Sequence, residues 1–352
     1  MRVAPVVLNG PGRVGLEFVR LLNESASDIA AKTGITPVLR AVQSRKGILF
    51  SPHGLSLEEV RDWAKGQGQG PRSATVGLKV FAPADYASVL EMVRADSPGV
   101  VVEATPTNLE TGEPGLSNVR TALEKGFSAV SLAKGPLVVA FGNLAALAKN
   151  KGACLRYSGA VAAALPTIDT AVYAMAGAGI YEIEGVLNGT TNYILNGMAS
   201  GKSYKEALVE AQSMGVAEAN PRLDVEGFDS AAKLLIIANT VWDLRLGLQA
   251  VARQGIPGLD AGFVHACAEK GTPVRLVARA VLAEGRADLS VRPEPVPQGH
   301  PFSNLPGTSK AVRFRSRNMG EVVVSGGASD VTGAAASALK DLIHVLEGRG
   351  IS

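Results

Sequence analysis

The stretch Val6-Val7-Leu8-Asn9-Gly10-Pro11-Gly12-Arg13-Val14-Gly15 decides the fold. Residues 3–9 read as a short buried strand, and an amphipathic helix from about Val14 to Ala31 follows, with Val14, Phe18, Leu21 and Leu22 at helical spacing. Between them the glycines fit G-x-G-x-x-G, and a strand before and a helix after are the context that gives this motif meaning. Gly10 permits the tight turn, Gly12 lets a pyrophosphate approach the backbone, and Gly15 lets the helix pack on the strand. The helix N-terminus offers free N–H groups and partial positive charge to phosphates, with Pro11, Arg13 and Val14 lining the turn. A plain glycine turn is the alternative.

Working outward, a second strand is predicted near Ile35–Val42, a short helix near Leu57–Ala64, a third strand over Val100–Ala104 and a further strand over Phe127–Leu132. Gly66 to Pro71 is predicted to be a loop, and Gly126 ends a helix. Alternation of strand and helix argues for parallel β-α-β units, an α/β Rossmann-type dinucleotide-binding domain over residues 1–152. Beyond it the pattern changes. A strand is expected over Ile180–Leu187, helices at about 190–199, 203–214 and 226–241, and strands over Val274–Ala283 and Asp288–Arg292. Two more strands follow (Ala311–Arg315, Val322–Ser325), then a helix at about 332–347. This is an α+β domain over 153–317, with the segment from about 318 to 352 returning to the first.

An NAD-selective site usually carries an acid after the second strand, beside the adenosine ribose. Here the residues are Gln43-Ser44-Arg45-Lys46. Two cations and no carboxylate favour NADP, because guanidinium pairs with phosphate through two hydrogen bonds. Solvation of a surface loop is the simpler explanation, and NAD stays open.

Hydrophobic residues make up 46% and charged residues 19% of the 352, enough for a real core, and net charge is +3 without the basic stripe of a nucleic-acid binder. No stretch approaches the roughly 18 apolar residues that cross a bilayer. Cys154 and Cys267 give neither a disulfide framework nor a thiolate metal site. His53, His265 and His344 lack ligand-like spacing, so no metal site is expected. A cytoplasmic enzyme is the expectation.

The chemistry-bearing segment runs Glu218-Ala-Asn-Pro-Arg-Leu-Asp224-Val-Glu-Gly-Phe-Asp229-Ser-Ala-Ala-Lys233. Asp224 is placed as an N-cap, and Asp229 and Lys233 share a helix face four residues apart. A cap plus a surface ion pair would account for them. Yet Lys233 borders the apolar run Leu-Leu-Ile-Ile-Ala, and Lys134 lies just beyond a strand of the first domain, where such sheets place ligands. Hydride attack on a carbonyl builds charge on oxygen, which an ammonium can stabilise and protonate.

Asn188-Gly-Thr-Thr-Asn-Tyr-Ile-Leu195 resembles, residue for residue, the signature of the homoserine dehydrogenases. The resemblance extends along nearly the whole chain: the glycine loop, Thr111-Gly-Glu-Pro, Ala122-Leu-Glu-Lys-Gly, Lys134-Gly-Pro-Leu, the acid–lysine segment, and His300-Pro leading to the Gly326-Gly327 turn. It implies reversible NAD(P)H-dependent reduction of aspartate 4-semialdehyde to homoserine, in threonine, methionine and isoleucine biosynthesis. It assigns proton transfer to Lys233, with Lys134 near the nicotinamide and reacting oxygen. Substrate binding falls to Glu218, Asp229, Gly189 and Thr190, with Asp224 a further family acid. Cofactor contacts fall to Thr105, Gly215, Gly326 and Gly327 besides the glycine loop. It also implies a homodimer or homotetramer built through the second, catalytic domain.

Departures occur. Ala133 stands where the family usually has Asn. Ser158-Gly-Ala-Val-Ala-Ala-Ala-Leu-Pro166 lacks the acid and glycines associated with a monovalent cation, which puts that ion in doubt. The alanines there favour a helix over 163–176. The chain's length is expected to leave no room for a regulatory domain. A related oxidoreductase on another small amino-acid aldehyde, and a non-catalytic NADP-binding sensor, remain the rival readings.

Overall fold

The structure, a computed structural model, describes residues 2–66, 77–94, 99–327 and 330–350. In chain order its first unit runs β1 (Arg2–Asn9), α1 (Arg13–Thr33), β2 (Ile35–Ser44), β3 (Gly47–Phe50), α2 (Leu57–Lys65), β4 (Lys79–Phe81), α3 (Tyr86–Arg94), β5 (Val100–Glu103), α4 (Gly115–Glu124), β6 (Ser128–Ser131), α5 (Gly135–Lys151), β7 (Leu155–Arg156) and α6 (Ser158–Ala162). The second runs α7 (Thr167–Asp169), β8 (Ile180–Val186), α8 (Gly189–Ala199), α9 (Tyr204–Ser213), α10 (Arg222–Val225), α11 (Phe228–Trp242), β9 (Val251–Arg253), α12 (Ala261–Glu269), β10 (Val274–Ala283), β11 (Arg286–Pro295), β12 (Ala311–Ser316) and β13 (Gly320–Ser325). The chain then re-enters the first unit as α13 (Val331–Leu346).

Among the described residues the first sheet has the order β4-β3-β2-β1-β5-β6-β7. β1 pairs in parallel with β2 and β5, and β5, β6 and β7 continue in parallel. Alternate side chains of a strand face opposite ways. Val6 and Leu8 therefore join a core with Phe18, Val19 and Leu22 of α1 and Ala335, Ala338 and Leu342 of α13. Val7 faces the other core, with Val89, Leu90 and Val93 of α3 and Phe127. Helices on both faces make this a Rossmann-like layer arrangement.

Several expectations are corrected. The window after β2 is a hairpin: β2 and β3 are antiparallel, joined at Ser44–Gly47, so Arg45 and Lys46 form its exposed turn. The loop expected over Gly66–Pro71 lies outside the described residues after Gly66. No continuous helix spans 163–176. α6 ends at Ala163, a non-glycine residue at φ 52, and the chain resumes as α7 and a π-type turn in which Met175 N donates to Thr170 O at 2.9 Å. Pro166 explains the break, since proline disfavours helix in the residue before it. Contacts divide the chain into Met1–Ala164 with Asp330–Ser352, and Leu165–Ser329. The sequence places these divisions at 152 and about 318. They move because β7 pairs with β6, while β13 still pairs with β12.

The second sheet has the order β13-β12-β8-β10-β11-β9. α11 and α8 lie against it, and Leu234 to Ala238 of α11 are buried. Glu182 and Glu184 of β8 share one face of the strand, and pairing sets Arg313 opposite Glu184 and Arg315 opposite Glu182. Arg279 of β10 stands opposite Glu184 from the other side. Opposite charges directly across strands stabilise the pairing.

Candidate active site

In the first unit the glycine loop meets the steric demands of a dinucleotide site. Gly10 is at φ +90, and a Cβ there would lie 2.7 Å from Ala104 O. A Cβ on Gly15 would overlap Gly10 O, whereas one on Gly12 would meet nothing within 4 Å. Two glycines are thus required by packing, and the third leaves open space. Gly12 caps α1 without any side-chain hydrogen bond, so the helix keeps its first N–H groups for an anion. Glu103, fully buried at the C-terminal end of β5, steadies the neighbouring turn. It accepts from Asn9 Nδ2 (3.1 Å), Asn118 Nδ2 (2.9 Å) and Thr105 N (2.9 Å), and from the Thr105 hydroxyl. Burial pushes its carboxyl up. Lys134 follows β6 as the N-cap of α5, half-buried, its N–H donating to Thr107 Oγ1 at 3.2 Å.

Ser158, where the family's acid is missing, is occupied differently. Its N–H donates to Asp341 Oδ2 (2.8 Å) and its hydroxyl to Asp341 Oδ1 (2.9 Å), while Arg156 pairs with the same carboxylate at 3.0 Å. The position ties α13 to the first sheet.

In the second unit the acids and Lys233 converge on the start of α8. Asn188 is its N-cap: Oδ1 accepts from Thr191 N at 2.8 Å, the contact expected of such a residue. Its Nδ2 donates to Asp224 Oδ1 (2.6 Å) and Asp229 Oδ2 (2.8 Å). One amide thus bridges two carboxylates 36 and 41 residues away in sequence. Lys233, one turn along α11 from Asp229, donates to Asp229 Oδ2 (2.6 Å) and to Leu187 O (2.8 Å). Burial, then the Asp229 charge, raises the Asp224 carboxyl above the usual aspartate range. Asp224 is not an N-cap. It lies inside α10, and Gly227 at φ +81 turns the chain into α11.

Gly189 and Thr190 open α8; the Thr190 hydroxyl donates to Val216 O at 3.0 Å. A Cβ on Gly189 would lie 2.9 Å from Thr308 O, so only glycine lets the 305–309 loop approach. Glu218 does not join the cluster. It is exposed between α9 and α10, where its backbone carbonyl accepts from Gln212 Nε2. Gly215 (φ +71), Gly326 (φ +102) and Gly327 (φ +72) all occupy left-handed turns.

Sequence reasoning overlooked two members. Asn188 carries a readable signal, an Asn just before a helix start, but its bridge to the acids is purely tertiary. Lys310, 4% exposed ahead of β12, has Lys233 and Asp229 as its charged neighbours.

The homoserine dehydrogenase family profile matches residues 166–343, which contain this whole cluster. A homoserine dehydrogenase of Methanocaldococcus jannaschii is 30% identical over 97% of this chain and 98% of its own. The chain belongs to the homoserine dehydrogenase family. An NAD(+)-dependent homoserine dehydrogenase of Pseudomonas canavaninivorans is 36% identical over 247 residues, 70% of either chain. The crystal structure of a homoserine dehydrogenase from Thiobacillus denitrificans superposes with a TM-score of 0.82 at 26% identity, covering 98% of this chain and 74% of that one. As a homoserine dehydrogenase the protein is an oxidoreductase acting on a CH–OH group with a small-molecule substrate. No helix among the described residues is long and apolar enough to cross a membrane.

Proposed function

We propose that Lys233 is the proton-transfer residue of the homoserine–aspartate 4-semialdehyde interconversion, with Asp229 as its orienting partner. The observation that carries this is the pair of hydrogen bonds from Lys233 Nζ, to Asp229 Oδ2 and to Leu187 O, at the mouth of the Asn188-Gly189-Thr190 turn. Two fixed acceptors hold the amine in one place, and an amine held at a forming alkoxide lowers the barrier without reorganising. A bound nicotinamide supplies the hydride in reduction and receives it in oxidation. In reduction Lys233 gives its proton to the new hydroxyl oxygen; in oxidation the neutral amine takes it back. Asp224, Asp229, Gly189 and Thr190 are the candidates for holding the amino-acid end. Glu218 is kept with them on the family resemblance, from its exposed loop. Lys134 is proposed as a second catalytic lysine, from the C-terminal edge of the first sheet.

The cofactor is NAD or NADP. Gly10, Pro11, Gly12, Arg13, Val14, Gly15 and Thr105 fit a pyrophosphate, with Gly215, Gly326 and Gly327 as further backbone contacts. The exposed Arg45–Lys46 turn after Ser44 supports NADP as the preferred form. The P. canavaninivorans relative is named for NAD(+), so this preference is open to direct test. A homodimer or homotetramer through the second unit, and cytoplasmic residence, are proposed on the same resemblance. The two free cysteines accord with a reducing compartment.

The deciding experiment follows reduced nicotinamide formation with L-homoserine at alkaline pH, beside NAD⁺ and NADP⁺ controls. Lys233→Met should lower turnover by roughly 100-fold or more, the range of general acid–base contributions, with cofactor binding retained. Near-normal turnover would remove Lys233 from the mechanism.

A further inference from the structure

Lys310 is buried in the second unit, and its position is built from several sides. Asn192 Nδ2, on α8, donates to Leu305 O (2.9 Å), Gly307 O (3.0 Å) and Ser309 O (3.2 Å). Asn196 Nδ2, one turn on, donates to Leu305 O at 3.0 Å. Arg275 of β10 donates to Phe302 O and Ser303 O, bracing the approach to the same loop. Thr308 then lies so close to Gly189 that a Cβ would not fit between them. On its other side Lys310 O accepts from Gly326 N at 3.0 Å, which fixes the Gly326-Gly327 turn beside it. The result is a lysine only 4% exposed whose charged neighbours are Lys233 and Asp229 of α11.

Asp224 of α10 faces Asp229 and Lys233. The 305–309 loop and the Gly326-Gly327 turn carry no titratable side chain. α8 contributes only Tyr193, whose hydroxyl is engaged with Met214 Sδ.

We propose that Lys310 is a positioning residue for the reaction, a second buried amine set against the Lys233–Asp229 pair, because β12 pairs Ala311 with Val186 and so stands Lys310 beside Leu187, whose carbonyl accepts from Lys233 Nζ. Like charges in a dry site disfavour each other, and a shared carboxylate cannot neutralise both. Burial first, and the Lys233 charge next, bring the Lys310 ammonium down to about 8. A buried amine brought down to about 8 beside the proton-transfer lysine suits a reversible dehydrogenase. The charged amine donates to alkoxide in one direction, and the neutral amine accepts from hydroxyl in the other. The effect is read from the pH profile of the whole reaction.

This inference rests on Lys233 as the proton-transfer residue. The test therefore runs Lys233→Met beside Lys310→Met and Lys310→Arg, in the intact enzyme, with L-homoserine and saturating cofactor. In Lys310→Met the competing cation is gone, leaving Lys233 as the one amine beside Asp229. The low-pH limb of kcat for homoserine oxidation should move up by about one unit, a loss of roughly 10-fold below the limb that is recovered at high pH. Lys310→Arg, permanently charged, should leave the limb at or below its parent position while KM for the cofactor stays within about two-fold. A uniform loss at every pH in Lys310→Met, or an unmoved limb in both variants, would overturn the proposal. If Lys233→Met keeps its turnover, the assignment of Lys233 fails first. If Lys233→Met is inactive and the limb does not move, the role of Lys310 alone fails.

Discussion

Asn188 Nδ2 lies 2.8 Å from Asp229 Oδ2, the same oxygen that accepts from Lys233 Nζ. The residue that starts α8 therefore also sets the proton-transfer pair. Asn188→Ala removes the cap of α8 and the bridge between two carboxylates. A lost cap costs about 1 kcal/mol, and losing the two bridging hydrogen bonds to the acids adds on the order of 1–3 kcal/mol. We expect a melting temperature several degrees lower and turnover reduced more than cofactor affinity, measured by thermal unfolding and steady-state kinetics. Unchanged turnover would mean that Lys233 and Asp229 align without Asn188.

Asp229→Asn keeps an acceptor for Lys233 but removes its negative charge. Turnover should fall by roughly 10- to 100-fold, the scale of a misoriented catalytic group, with the melting temperature nearly constant. A large loss of stability instead would mark Asp229 as a folding residue rather than a partner of Lys233.

The three loop glycines should separate under substitution. Gly12→Ala meets open space, so the enzyme should fold normally while KM for the dinucleotide rises about 10-fold or more. Gly15→Ala would drive a methyl into Gly10 O, and the first unit should lose stability instead. Circular dichroism melts and cofactor titration together distinguish the two. Equal effects at both positions would contradict the packing argument.

Asp224 gives a pH dependence whose sign can be worked out. Its folded-state carboxyl is raised above the ordinary value near 3.9 by burial and by Asp229, so folding disfavours its ionised form. Above the folded pKa the carboxylate is a burden on stability; below the unfolded pKa both states are protonated and the burden is gone. Asp224→Asn should melt at or above the parent at neutral pH, with the difference closing as pH falls below about 4. A variant less stable at neutral pH than in acid, relative to the parent, would reverse this account.

Arg45→Glu at the β2–β3 turn should raise KM for NADP⁺ more than for NAD⁺, by about 10-fold for one lost charge-assisted phosphate contact. Equal changes for both cofactors would return Arg45 to the role of a solvated loop residue.

Much of the first unit was legible because its signals are local. The Val6–Leu8 strand, the glycine turn and the spacing of Phe18 and Leu22 each depend on neighbours in sequence. The β2–β3 hairpin escaped notice because Arg45-Lys46-Gly47 reads as polar loop, and only pairing of Val42 with Leu49 makes it a turn. The alanines of 162–164 favour a helix over 163–176 in the sequence, but Ala163 at φ 52 and Pro166 break the chain there.

In the site, residue types and spacing sufficed to nominate Asp229 and Lys233, because four residues along a helix is one turn whatever surrounds it. Sequence alone also determined the family, through Asn188-Gly189-Thr190-Thr191 and the motifs in order around it. Tertiary structure alone decided that Asn188 joins Asp224 to Asp229, that Glu218 stands apart, and that Lys310 lies beside Lys233. The physical reason is one of range. Turns, caps and helix faces arise from contacts within a few residues, while the charge environment of an amine depends on burial and on partners far away in the chain. Lys310 reaches Lys233 across 77 positions only because Asn192 anchors the 305–309 loop to α8.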